Sequence, residues 1–113
     1  MEIVEWDDPH RAETAYEGIE RRVLAHDGAQ MLVHYTVEEG AEFPEHEHEE
    51  AHQAVFVIDG AIELFGDREA LLETGDSFVV GPGVRHGIRG VAPETRQVCA
   101  FTPPVNAYAE RRP

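Results

Sequence analysis

The sequence has no lysine, one cysteine and no apolar run longer than five residues. Each absence excludes something. All nine cationic side chains are arginine, against 23 acidic residues, for a formal net charge of −14. A polyphosphate meets a repulsive field at such a surface, so neither nucleic acid nor an anionic membrane is an expected partner. The lone cysteine, Cys99, has no internal partner for a disulfide, and nothing asks for an oxidising compartment. The short apolar runs exclude a helical membrane span. Met1-Glu2-Ile3-Val4-Glu5-Trp6 lacks the basic and apolar regions of a secretory leader, and the expected location is cytoplasmic.

What is present is acid. A lysine-free, acid-rich surface fits adaptation to molar salt, where a short screening length mutes self-repulsion, and a halophilic origin is the expectation. The competing reading is functional: acid concentrates cations near a site. Hydrophobic residues make up 42% of the 113, which is too many for a disordered chain.

The rhythm is all-β. Short runs rich in Val, Ile, Leu and Phe are punctuated by Asp27-Gly28, Glu39-Gly40, Asp59-Gly60, Gly66-Asp67, Gly75-Asp76 and Gly81-Pro82-Gly83. Strands are predicted over Val23–Ala25, Met31–Val37, Val55–Ile58, Ala61–Phe65, Phe78–Val80 and Arg96–Phe101, within a total of eight to ten. Asp59-Gly60 between two apolar runs predicts a two-residue hairpin. Helical spacing occurs only over 9–20, through Ala12, Tyr16 and Ile19. With no repeat and no linker, one domain is expected: an N-terminal arm over 1–20, a barrel over 21–102 and a proline-marked tail over 103–113.

Four of the seven histidines fall where chemistry is plausible. His46, His48 and His52 lie within seven residues, and His86 follows the Gly-Pro-Gly turn. Side chains two apart on a strand share a face, so His46 and His48 point together, as a metal requires of paired imidazoles. The same residues also read as a solvated loop, Glu45-His46-Glu47-His48-Glu49-Glu50, holding nothing.

The framing glycines favour the metal. Gly40-x5-His46-x-His48-x4-Gln53-x6-Gly60 resembles the first motif of the cupin superfamily, and Gly75-x5-Gly81-Pro82-Gly83-x2-His86 resembles the second. Together they cover about 40 of the 113 residues. The resemblance implies a jelly-roll β-barrel of two antiparallel sheets around a pocket. It further implies a divalent transition metal (Mn, Fe, Ni, Zn or Cu) on His46, His48, the Gln53 position and His86. Three departures from the family pattern stand out: Gln53 replaces the usual glutamate, Gly81 the first proline of the second motif, and Gly90 a frequent asparagine.

The fourth ligand has two readings. The spacing to Gly60 selects Gln53, whereas a one-residue shift of the strand would present His52 instead. Against three neutral imidazoles, a neutral amide leaves the ion's charge uncompensated, weakening its binding and sharpening its Lewis acidity. His34 and Tyr35 are candidate proton carriers whose facing is not fixed by the sequence. Cys99 reads as core, and Trp6 and Tyr16 as packing residues. The expected activity is Lewis-acid chemistry, isomerisation or ring opening, on a small oxygen-rich anionic compound resembling a sugar acid. The alternatives are a metal-dependent dioxygenase and a non-catalytic ligand-binding cupin. Ile3, Val4 and Trp6 form an apolar edge through which a homodimer is expected.

Overall fold

Alternation of apolar and polar side chains fixes which way each strand faces. In the computed structural model, which describes residues 1–110, strand β5 (His52–Asp59) buries Gln53, Val55 and Val57 and turns His52, Ala54, Phe56 and Ile58 outward. The other strands are β1 (Arg11–Tyr16), β2 (Ile19–His26), β3 (Met31–Glu38), β4 (Glu42–His46), β6 (Ala61–Gly66), β7 (Ala70–Glu73), β8 (Ser77–Val80), β9 (His86–Gly90) and β10 (Glu94–Thr102). They form a six-stranded sheet, β1-β2-β3-β10-β5-β8, facing a four-stranded sheet, β4-β9-β6-β7. Every pairing is antiparallel, the arrangement of a jelly roll.

Inward residues of both sheets make one core. Ile19, Val23, Val33, Val37, Val57, Ile62 and Phe101 are fully buried between the layers. Each such side chain contributes roughly 1.5–3 kcal/mol by leaving water.

Two expectations are corrected here. The segment over 9–20 is not helical: it forms β1 and the start of β2, hairpinned through Glu17-Gly18. Ala12, Tyr16 and Ile19 satisfied a helical spacing, but cross-strand pairing outweighs a short pattern interrupted by glycine. The sheet therefore begins at Arg11, inside the stretch read as an arm. Asp59-Gly60 is likewise not a hairpin turn. The chain leaves the six-stranded sheet at Asp59 and enters the other at Ala61. Gly60 sits at φ +114°, and a Cβ there would lie 2.5 Å from Thr95 Oγ1 and 2.8 Å from the Glu94 carbonyl. Thr95 replaces the lost pairing: Ala61 N–H donates to its Oγ1 at 3.1 Å, and its hydroxyl donates to Ala61 O at 3.0 Å. Alternation reports facing but not the neighbouring strand, so a corner between sheets looks like a hairpin in sequence.

Residues 1–10 contain no strand. Trp6 lies on the outer face of the six-stranded sheet, with the Arg22 and Arg96 guanidinium carbons 4.4 and 5.3 Å from its ring. Of the apolar edge expected from Ile3, Val4 and Trp6, Ile3 is exposed and Trp6 is turned onto this face. At the other end, a 3-10 turn over Asn106–Tyr108 folds Tyr108 against Phe101, ring centroids 5.6 Å apart. The last three residues of the expected tail, 111–113, lie outside the described residues.

Candidate metal centre

β4 ends on His46 and β9 begins on His86, and the two are register partners in the four-stranded sheet. His48 follows in the loop after β4, and Gln53 reaches across from β5 in the facing sheet. The ring centroids of His46 and His48 stand 5.0 Å apart, those of His46 and His86 4.3 Å. One nitrogen from each of the three histidines falls within 4.8 Å of the others. The sandwich thus brings its two motifs together at the open end of the barrel.

The protonation pattern suits a cation. His46 Nδ1–H donates to Pro44 O at 2.8 Å, and His86 Nδ1–H donates to Val84 O at 2.9 Å. Each bond fixes a tautomer that leaves Nε2 as a lone pair. His86 Nε2 then faces Gln53 Oε1 at 3.0 Å, one acceptor against another. His48 Nε2 is buried with no hydrogen-bond partner among the described residues. A divalent ion answers all three observations, because adjacent ligands on bonds of about 2.1 Å stand about 3 Å apart. Burial pushes His46 down to about 4, assisted by His86 and His48, and burial likewise lowers His48. His46 and His48 are thereby kept neutral and ready to ligate near neutral pH.

The same alternation separates the two readings of the fourth position. His52 is exposed on the outer face of β5, whereas Gln53 is buried and touches the cluster. The two proton-carrier candidates also part. Tyr35 faces inward and lines the cavity beside the histidines, where burial pushes its phenol well above the ordinary value and keeps the hydroxyl protonated. His34 faces outward. It is 3% exposed, sealed beneath the Trp6 ring at a centroid distance of 4.7 Å, and takes no part in the pocket. Cys99 is buried core, its thiol pushed up to about 12 by burial. Gly90 has a backbone reason: a Cβ there would lie 2.4 Å from Glu38 O.

The cavity between Tyr35, Phe43, Gln53, His86, Gln97, Phe101 and Tyr108 encloses about 20 Å³, room for a water or two. Two polar residues near it were missed in the sequence. Arg21 occupies an inward place on β2 between Ile19 and Val23, and Gln97 one on β10 between Thr95 and Cys99. A polar residue at an apolar beat of an alternating strand is the signal that finds both.

The cupin-domain family model matches residues 33–99, which span both histidine motifs. The chain is a cupin. KdgF from Halomonas sp. superposes with a TM-score of 0.87 at 26% identity, covering 96% of this chain and 98% of that one. An RmlC-like cupin from Shewanella frigidimarina gives 0.86 at 25%, covering 96% of each. The polyketide cyclase RemF from Streptomyces resistomycificus shares the fold, with a TM-score of 0.76 at 20% identity, covering 100% of this chain and 82% of its own. No curated protein matches the sequence. This cupin carries a histidine cluster consistent with a divalent metal, and none of its described helices is long or apolar enough to cross a membrane.

Proposed function

We propose that this cupin is an enzyme holding a divalent metal on His46, His48, His86 and Gln53 and acting on a small, oxygen-rich anionic substrate. The reaction class is isomerisation or ring opening of a compound resembling a sugar acid. The observation that carries the reading is the apposition of two acceptors, His86 Nε2 and Gln53 Oε1, beside the unpartnered His48 Nε2. When bound, the ion supplies Lewis acidity, and four neutral donors leave its charge undamped toward an anionic oxygen. The chain's own residues do the rest. Phe43 and Phe101 pack against His46 and His48, at centroid distances of 4.8 and 5.3 Å, and exclude water from one side of the cluster. The Tyr35 hydroxyl, held protonated, is available to donate to a developing negative oxygen.

The test is to identify the metal in protein purified at matched salt without chelator or nickel resin, then follow uronates by NMR. Conversion that is lost on metal removal and restored by readdition is the expected result. Oxygen uptake with catechol-like compounds, and no uronate conversion, would place the same cluster in dioxygen chemistry instead.

We also propose that the protein is a homodimer joined through the outer face of the six-stranded sheet. Leu32, Ala54, Phe56, Val79, Val98 and Ala100 line an apolar groove there, with Phe56 46% and Val79 70% exposed. In a chain of charge −14, these six groove residues carry no acid; the outward acids of β3 and β10, Glu38 and Glu94, are register partners at the far end of those strands. A second copy can approach this face without bringing carboxylates together, and stacking it against itself hides the groove of both.

A further inference from the structure

Three polar side chains cross the inner face of the six-stranded sheet in a single row. Arg21 on β2 is the register partner of Tyr35 on β3, which is the register partner of Gln97 on β10. All three are buried, with Arg21 9% exposed. Their strand neighbours on that face are almost wholly apolar, so the row interrupts what would otherwise be continuous core.

The row is poorly satisfied from within. Arg21 Nε donates to Tyr35 Oη at 3.0 Å, and its Nη1 reaches Glu13 Oε1 only at 3.4 Å. Arg11 Nη2 holds the other oxygen of Glu13, Oε2, at 2.5 Å. Nη2 of Arg21 makes no hydrogen bond among the described residues. The flat face of the guanidinium is covered by the Tyr108 ring, 3.8 Å from Cζ. Gln97 donates weakly to Cys99 Sγ at 3.8 Å, while its Oε1 is buried with no partner. The Gln97 carbonyl is a buried orphan and costly to keep unless something completes it, while the Arg21 cation is held by Tyr35 and one long ion pair with an Nη2 left to spare.

Gln97 lines the cavity beside the histidines, and Arg21 stands behind Tyr35 and Tyr108, which line it too. We propose that the row is the substrate-recognition wall of this site, and that its ligand is a small hydroxy-carboxylate. The carboxylate takes the planar fork of Arg21, a ligand hydroxyl donates to Gln97 Oε1, and the oxygens at the far end of the molecule face His46, His48 and His86. The space is now filled by Tyr108, whose ring the carboxylate displaces from Arg21. In an acidic protein the buried guanidinium is also the local positive field that draws an anion inward. This inference rests on the metal-centre reading and narrows its substrate to carboxylates.

The experiment compares D-glucuronate with D-glucose, which differ by a carboxylate in place of a hydroxymethyl group. Binding is measured by calorimetry on zinc-loaded and on metal-free protein. Wild type is expected to prefer the acid by at least tenfold in both forms, and Arg21→Gln to bring that preference close to one with zinc stoichiometry unchanged. Gln97→Leu should weaken both ligands and keep the preference. Tyr108→Ala should tighten glucuronate. A melting temperature confirms that each variant folds. Should Arg21→Gln fail to fold, Arg21→Lys carries the test: it keeps the charge but not the fork, and should lose the preference severalfold. A wild-type preference near one, or one that survives loss of the guanidinium, overturns the recognition wall. Failure of zinc to bind wild type would instead overturn the metal centre, and the metal-free arm keeps the two outcomes apart.

Discussion

Gln53 Oε1 and His86 Nε2 meet 3.0 Å apart across the gap between the two sheets. Each is an acceptor, since His86 spends its proton on Val84 O. The amide and the imidazole therefore present lone pairs to each other, with no proton between them. Replacing His46, His48 or His86 by Ala should abolish metal binding, because each imidazole is a strong donor in a site with no anionic ligand. Gln53→Ala should weaken the metal by about ten- to a hundredfold, the scale of lost supporting partners. Gln53→Glu should tighten it, by adding an opposite charge, while slowing turnover through reduced Lewis acidity. His52→Ala, on the outer face, should change little. Competitive metal titrations of the set decide it, and loss of binding in His52→Ala with retention in Gln53→Ala would reverse the assignment.

The histidine cluster was legible because its signals are local. Glycine-framed spacing located His46, His48 and His86, which the fold brings together, and the distance to Gly60 selected Gln53, which faces them, where His52 faces outward. The predicted strands fall within β2, β3, β5, β6, β8 and β10, each an alternating or apolar run. The strands that escaped notice lack that signal. β4, Glu-Phe-Pro-Glu-His, buries one apolar side chain, and β9 is interrupted by Gly87 and Gly90. Both are held by pairing with each other and by the histidines they carry, which only tertiary structure reveals. Facing across a turn was equally hidden. His34 and Tyr35 are neighbours, and nothing local says which one enters the pocket. The register of β3 with β2 and β10 decides for Tyr35.

The apolar outer face gives a prediction on assembly. Sedimentation equilibrium in molar salt should find a dimer at micromolar concentration. Phe56→Glu should raise the dissociation constant at least a hundredfold, because it buries a carboxylate against its own symmetry mate in a protein already strongly acidic. The histidine cluster lies inside the barrel, away from this face, so metal stoichiometry should be unaffected. A wild-type monomer at tens of micromolar would remove the second copy as occupant of the groove.

His34 makes a pH dependence that is independent of the metal. Its ring is closed in by Trp6 from the arm and by Val98, its register partner on β10, and neither ring nitrogen has a hydrogen-bond partner among the described residues. The charged groups around it are Arg96 on β10 and Arg22 and Glu20 on β2. Burial pushes its pKa down to about 4; Arg96 and Arg22 push the same way and Glu20 opposes. The unfolded chain takes up this proton below about 6.5 and the folded protein only below about 4. Between those values the unfolded state holds more protons, so stability rises with pH and is lost on acidification. The contribution is nearly complete at pH 7 and falls by about 2 kcal/mol by pH 5. His34→Gln removes the titration while preserving volume and polarity, and the remaining carboxylates act alike in both proteins. Urea unfolding at fixed salt should therefore show wild type losing about 2 kcal/mol relative to His34→Gln between pH 7 and pH 5. Parallel loss in the two proteins would mean that the ring accepts a proton beneath Trp6, and the indole would then be no seal.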